Sequence, residues 1–458
     1  MPNFKKLAKN YERNAVLALQ EFVHKRSVYD EKSIGPGAPY GAGVKSALDY
    51  VAKLGKDYGF NVDTCDGYCT ELSFGDDNGP CIGIYAHSDV VPVSGTWRSG
   101  PFDAKIEGEG KEAKMIGRGT SDDKGPLIAA LFAMKLLKDN ELIKGYKVRL
   151  TSGGDEERGS SCLAYYFHKL NKPACDYGFT PDADFPLIYA EKGIFHGNLK
   201  RNIDLSPIIS IDGGVVSNAV CDRIVFTLPK DKKFIEHFKE AKLDGDVNDL
   251  GEIMFVTYKG KSAHGSTPEL GVNAAAIAFN DLGIFYKNEF LVNLAKIIKE
   301  PNGACFDGNM PSPELGNCTY NYGVFSYDSK HNLKISVDFR YGESAKPEEL
   351  VKKLEKAAQM GIEDRSSLDV LLFDKKSPLV STLMKSYKRM TLRLFDKPMA
   401  IGGGTYAKEA KNCVAYGSAF KEHPGDIHSP NEYIYLEDLY KQIAIYADAI
   451  YSLGQLKK

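Results

Sequence analysis

Apolar residues fall along this chain in two rhythms. In one, short runs end in polar chemistry: CIGIYA (81–86), YKVRLTSGGDEE (146–157) and CDYGFTPDADFPLI (175–188). CIGIYA reads as a buried strand, and the other two as short strands that end in polar loops or carboxylates. In the other, the period lengthens to that of amphipathic helices, at 14–26, at 43–58 and at KGPLIAALFAMKLLKD (124–139), where Pro126 suits a first turn. FDAKIEGEGKEAKMIGRG (102–119) reads as a hairpin with a glycine-rich turn. Strand and helix alternate, which predicts an α/β fold with a mostly parallel sheet flanked by helices.

After about residue 186 the pattern changes. EKGIFHGNLKRNIDL and RIVFTLPKD alternate as strands, and 271–286 is helical. NLKISVDFRYGES (332–344) alternates as an exposed strand, and KPEELVKKLEKAAQMG follows as a helix. This is an α+β pattern and predicts a separate domain. SPLVSTLMKSYKRMTLRLF, from 378, is helical again, and 437–456 reads as a last amphipathic helix.

Composition narrows the function classes. A chain of 458 residues is too long for one ordinary core, so at least two domains are expected. A net charge of -2 with no long basic run argues against nucleic acid and anionic membranes as partners. The first 27 residues are interrupted by charges throughout, so no secretory leader is expected, and no apolar stretch approaches membrane-spanning length. Nine scattered cysteines include no C-x-x-C pair. They predict free thiols in a reducing compartment, most simply the cytoplasm, and argue against a disulfide framework or a thiolate zinc site.

The chemistry gathers in clusters at strand ends and in glycine-rich turns. His87 and Asp89 lie two apart at the end of the 81–86 run and so share a face. Asp122 and Asp123 follow GRGTS, Asp155, Glu156 and Glu157 follow SGG, Asp182 and Asp184 lie in TPDADFP, and Asp426 and His428 lie in GDIHSP. Like charges converging on one place are costly without a counter-ion, and a metal is the natural neutraliser. Two ions bridged by one carboxylate would need a histidine and a carboxylate each. That arrangement puts His87 with Asp182, Glu157 with His428, and Asp122 between them. Nitrogen and oxygen donors without thiolate suit Zn2+, with Mn2+ or Co2+ as alternatives.

YAHSDVVP, GRGTSDDKGP, SGGDEERGS, TPDADFP and GDIHSPNE resemble the metal-binding signatures of the dinuclear zinc metallopeptidases. That family includes aminoacylase, carboxypeptidase G, succinyl-diaminopimelate desuccinylase and carnosinase. SAHGSTPELGVNA (262–274) and GGGTYAK (402–408) resemble its PepV-type bacterial dipeptidases in particular. The resemblance implies His87, Asp122, Glu157, Asp182 and His428 as ligands of two divalent ions. It implies Asp89 as the carboxylate that orients His87, and Glu156 as the general base. Asp182 is preferred to Asp184, because in the family the first acidic residue of that segment binds.

His264 is expected to donate to the oxyanion, and Arg340 to pair with the substrate's C-terminal carboxylate. Backbone amides around Gly402, Gly403, Gly404 and Thr405 are expected to help, and Asn218 to contact substrate from a lid. The same resemblance implies a catalytic domain of 1–185 and 378–458 with an inserted lid of 186–377. That insertion is long enough for a doubled lid and a monomer. Trp97 is expected to anchor a loop near the site, and His423 to be a structural decoy. The substrate expected is an unblocked dipeptide, β-Ala-Xaa included. An N-acyl-amino-acid amidohydrolase and a non-catalytic binding protein on the same fold are the rival readings.

Overall fold

The computed structural model describes residues 1–457. The chain divides into two compact units, one of residues 1–189, 373–399 and 405–458, the other of residues 190–372 and 400–404.

The first unit is built on a sheet whose strands run in the order Asn61–Asp63, Cys69–Gly75, Lys147–Gly153, Cys81–His87, Tyr177–Thr180 and Cys413–Ala415. The last four are mutually parallel, and the first two close one edge antiparallel. The apolar runs are therefore the central parallel strands, and their polar tails emerge together at the carboxyl edge. His87 stands opposite Gly153 in register, which puts the HSD and GGDEE segments side by side.

Helix Lys124–Asp139 begins where GRGTSDD ends and packs on helix Leu436–Leu453. The first has Leu127 to Met134 buried without interruption. The terminal helix is amphipathic only in sequence. Asp438, Gln442 and Asp448 are as buried as its isoleucines, with His423 on Asp438, the Ser418 oxygen on the Gln442 Nε2 and Arg389 on Asp448. The 102–119 hairpin forms from Lys105–Glu107 and Lys114–Ile116. A third strand, Tyr433–Tyr435, pairs antiparallel with Lys114–Ile116, and this pairing carries the C-terminal GDIHSPNE segment to the start of the GRGTSDD loop. Among the described residues no helix is long and apolar enough to cross a membrane.

The second unit is an antiparallel sheet with helices. Its strand order is Gly245–Asp249, Ile253–Lys259, Arg223–Pro229, Ser210–Gly213, Thr319–Tyr327, Asn332–Tyr341, Gly193–Asn202 and Gly361–Leu368. Helices Ala274–Phe285 and Glu289–Lys299 supply Ala278, Phe279, Leu282, Leu291 and Leu294 to a core shared with Phe226, Tyr258, Phe325 and Phe339. The strand expected to be exposed, Asn332–Tyr341, is instead buried from Ile335 to Tyr341. It lies between two full-length neighbours, so its polar residues Asp338 and Arg340 are held by each other rather than by water.

Candidate metal centre

Strand Cys81–His87 delivers a fully buried imidazole at its last residue. His87 Nδ1 lies 2.9 Å from the backbone oxygen of Asp89, so Nδ1 carries the proton and the Nε2 lone pair faces away from it. On that side it meets Asp122 Oδ1 at 2.9 Å and Asp182 Oδ2 at 3.9 Å. The other Asp122 oxygen, Oδ2, lies 2.9 Å from His428 Nε2, which is also 3.2 Å from Glu157 Oε2. One carboxylate thus stands between two imidazoles, and each imidazole has a second carboxylate of its own. Ligand atoms of His87, Asp122 and Asp182 all lie within 4.8 Å of one another, and so do those of Asp122, Glu157 and His428.

The electrostatics are those of a site short of positive charge. Burial, then the charge of Asp122, pushes Asp182 up to about 7. Burial, then Asp182, raises Glu156 well above the ordinary carboxylate range, and burial with Asp122 raises Glu157. Asp122 goes the other way. Burial alone would raise it, but the imidazoles of His428 and His87, once each takes up a second proton, donate to its two oxygens and hold it below its usual value. Glu157 Oε1 is buried with no hydrogen-bond partner. Lone pairs of two imidazoles and several carboxylates converging on the same space fit divalent cations, and the nitrogen–oxygen donor set fits zinc-like ions.

Within each acidic doublet the backbone sends the side chains different ways. Asp155 turns to the hydroxyl of Ser161, away from the cluster. Asp123 Oδ2 accepts the backbone N–H of His87 at 3.1 Å. Asp89 does more than face His87. Its backbone oxygen is the nearer partner of Nδ1, and Oδ1 is 3.4 Å away. Its carboxylate also accepts the backbone N–H groups of Glu156 at 3.1 Å and Glu157 at 3.2 Å. His423 bonds Asp438 at 2.5 Å and stacks on Tyr435, away from these groups.

The second unit holds the expected substrate residues Asn218, His264, Arg340 and Gly402 to Gly404. The His264 segment bridges Ala219, and Gly265 N–H donates to the Asn218 oxygen at 2.6 Å. The buried Asn321 amide clamps this loop by donating to the Ser217 and Ala219 oxygens. Ser266 N–H donates to His264 Nδ1 at 3.2 Å, which puts the ring proton on Nε2. A Cβ on Gly402 would lie 3.2 Å from Ser266, so the glycine loop passes close against the same turn. Arg340 gives Nε and Nη2 to Asp338 at 2.7 and 2.8 Å.

The sequence profile of peptidase family M20/M25/M40 matches residues 83–452, well over half of the chain. The chain belongs to this family. A relative from Bacillus subtilis (strain 168), "Putative dipeptidase YtjP", is 32% identical, with 95% of this chain and 96% of that protein covered. Two solved structures share the fold. The M20 family metallo-carboxypeptidase Sso-CP2 from Sulfolobus solfataricus has a TM-score of 0.59 at 20% identity, covering 96% of this chain and 99% of that one. Human carnosine dipeptidase 1 has a TM-score of 0.56 at 15% identity, with both chains fully covered. Residues the sequence reading passed over are Tyr406, whose buried ring stands edge-on to His87, and the buried pair Arg118 and Glu432. The signal for the pair was present: both are charged residues inside the GRGTSDD and GDIHSPNE motifs.

Proposed function

We propose that this chain is a dinuclear metal-dependent dipeptidase acting on unblocked dipeptides, β-Ala-Xaa among them. The observation that carries the reading is the Asp122 carboxylate, with one oxygen facing His87 and the other facing His428. His87, Asp182 and Asp122 would hold one divalent ion, and Glu157, His428 and Asp122 the other, Zn2+ first and Mn2+ or Co2+ by the same donors. Ions held there acidify water and polarise a carbonyl group. The similarity to the relative named a dipeptidase supports the substrate class, and SAHGSTPELGVNA and GGGTYAK support the PepV-type subgroup.

The chain's own residues divide the remaining work. Glu156, its backbone pinned by Asp89, takes a proton from the attacking water and gives it to the leaving amine. Asp89 sets the His87 ring through its backbone oxygen and the 156–157 loop through its carboxylate. His264, protonated on Nε2, donates to the oxyanion. Arg340 uses the guanidinium edge not taken by Asp338 to hold the C-terminal carboxylate, aided by Asn218 and the backbone of Gly403 and Gly404. Residues 186–377 act as the lid inserted into a catalytic domain of 1–185 and 378–458. Eight strands in one sheet within one chain support a monomer, and nine free thiols support a cytoplasmic setting.

The deciding experiment incubates metal-reconstituted protein with free dipeptides, a tripeptide and N-acetyl amino acids, with Glu156→Ala alongside. Dipeptide cleavage lost in the variant supports the reading. Cleavage of the acetylated substrates instead makes the protein an amidohydrolase. No cleavage with Zn2+, Mn2+ or Co2+ leaves a binding protein. A mass near twice 50.5 kDa by light scattering would overturn the monomer.

A further inference from the structure

Glu432 stands four residues after His428 and is completely buried. Its Oε2 accepts from Arg118 Nη1 at 2.6 Å. Its Oε1 accepts two backbone N–H groups, those of Ser121 at 3.0 Å and of Asp122 at 3.1 Å. Its own backbone oxygen accepts Gly117 N–H at 2.9 Å, so both ends of the residue grip the GRGTSDD loop. Arg118 is 1% exposed, and its guanidinium lies 5.4 Å from the ring centre of Trp97. Ser121 Oγ closes the same contact by donating to the Tyr433 oxygen at 2.6 Å.

An ion pair this deep costs more in lost hydration than it returns, and apolar residues of the same size would usually be as stable. Arg118 and Glu432 therefore need a reason other than stability. The reason lies in what Oε1 does. A carboxylate is the side chain that accepts two adjacent backbone donors at one oxygen and still presents a second oxygen to a cation. By fixing the N–H groups of Ser121 and Asp122 it fixes the direction in which the Asp122 side chain leaves the backbone. That direction decides whether one Asp122 oxygen faces His87 and the other His428.

We propose that Glu432 is a positioning residue for the shared carboxylate Asp122, held in place by Arg118. The proposal rests on the reading of Asp122 as the ligand common to both ions. Glu432 touches neither ion nor substrate. Its removal should weaken both ions together, whereas loss of a ligand belonging to one ion should weaken that ion first.

The test measures Co2+ affinity and stoichiometry by calorimetry, and the visible absorption of the Co2+-loaded protein, in Glu432→Gln, Glu432→Asp and Asp122→Asn. Far-UV circular dichroism checks that each variant is folded. Gln cannot serve both backbone amides and Arg118, so Glu432→Gln should bind both Co2+ ions about 10- to 100-fold more weakly, with altered absorption bands. Glu432→Asp keeps the charge and falls one methylene short of the loop. It should show the same changes, which a purely charge-balancing role would not produce, and it carries the test if the Gln variant does not fold. Wild-type affinity and spectrum in a folded Glu432 variant, with binding lost in Asp122→Asn, would overturn the positioning role alone. Wild-type binding in Asp122→Asn would overturn the ligand reading beneath it.

Discussion

His87 Nε2 lies 2.9 Å from Asp122 Oδ1, although the two residues are 35 positions apart and sit on different elements. The histidine ends a strand, and the aspartate ends the loop that starts the next helix. The same aspartate repeats the contact with its other oxygen, Oδ2, 2.9 Å from His428 Nε2. This doubling puts Asp122 in both groups of residues that could hold a metal ion.

Substitution at the centre should therefore be unequal. Asp122→Asn should reduce bound metal from about two ions per chain to one or fewer, because the shared donor serves both. Asp182→Asn should weaken the His87 ion and leave the Glu157–His428 ion in place. Elemental analysis after dialysis against a weak chelator distinguishes the two patterns. Equal loss in both variants would remove the special role of Asp122.

Asp89 should matter through the loop as well as through the imidazole. Asp89→Ala strips the acceptors from the Glu156 and Glu157 amides and should lower metal affinity about 10- to 100-fold. The unpaired donors should also cost about 1–3 kcal/mol of stability. Asp89→Asn, which keeps one acceptor oxygen, should recover part of both losses. Calorimetric metal titration and urea unfolding check the pair of effects.

Another ion pair in the same unit joins a buried carboxylate to a half-exposed guanidinium. Arg389 grips Asp448 with Nη2 to Oδ1 at 2.6 Å and Nε to Oδ2 at 2.8 Å, and Asp448 is fully buried. Arg389→Met leaves that carboxylate without its cation and should destabilise the protein by about 1–3 kcal/mol, the half-exposed guanidinium being screened by solvent. Replacing both residues, Arg389→Met with Asp448→Leu, should cost less than the single change. Denaturant unfolding of the two variants gives the comparison.

Alkaline pH should loosen the packing around Tyr387. Burial, then its hydrogen bond to Asp396, pushes this phenol up to about 12 from its ordinary 10.0. A raised pKa means the folded state prefers the protonated form. The stability Tyr387 contributes is complete below pH 10 and is lost as pH rises towards 12. The melting-temperature gap between the unmodified protein and Tyr387→Phe should shrink from pH 9 to pH 11. A gap constant with pH would mean that the phenol's proton is not involved.

The sequence by itself determined the elements of the α/β unit and the chemistry they carry. A strand buried on both faces must be apolar along its whole length, and a helix on that sheet must repeat near 3.6 residues, so CIGIYA and KGPLIAALFAMKLLKD announced themselves. Histidine and carboxylates at the ends of such strands have few other uses, which made the composition of the centre legible. The strand at 332–341 was legible as a strand but not as a buried one. Alternation shows which residues share a face, and only the neighbouring strands decide what covers that face.

Tertiary structure alone decided where the loop side chains point. Asp155 goes to Ser161, Asp123 to the His87 backbone and Asp89 to the Glu156 and Glu157 amides, because each loop's direction is set by contacts with distant chain. Glu432 reaches Asp122 across 310 residues, through a strand pairing that no local pattern encodes. Local periodicity reports the burial a residue needs. It carries no information about which distant backbone groups will satisfy a charged side chain.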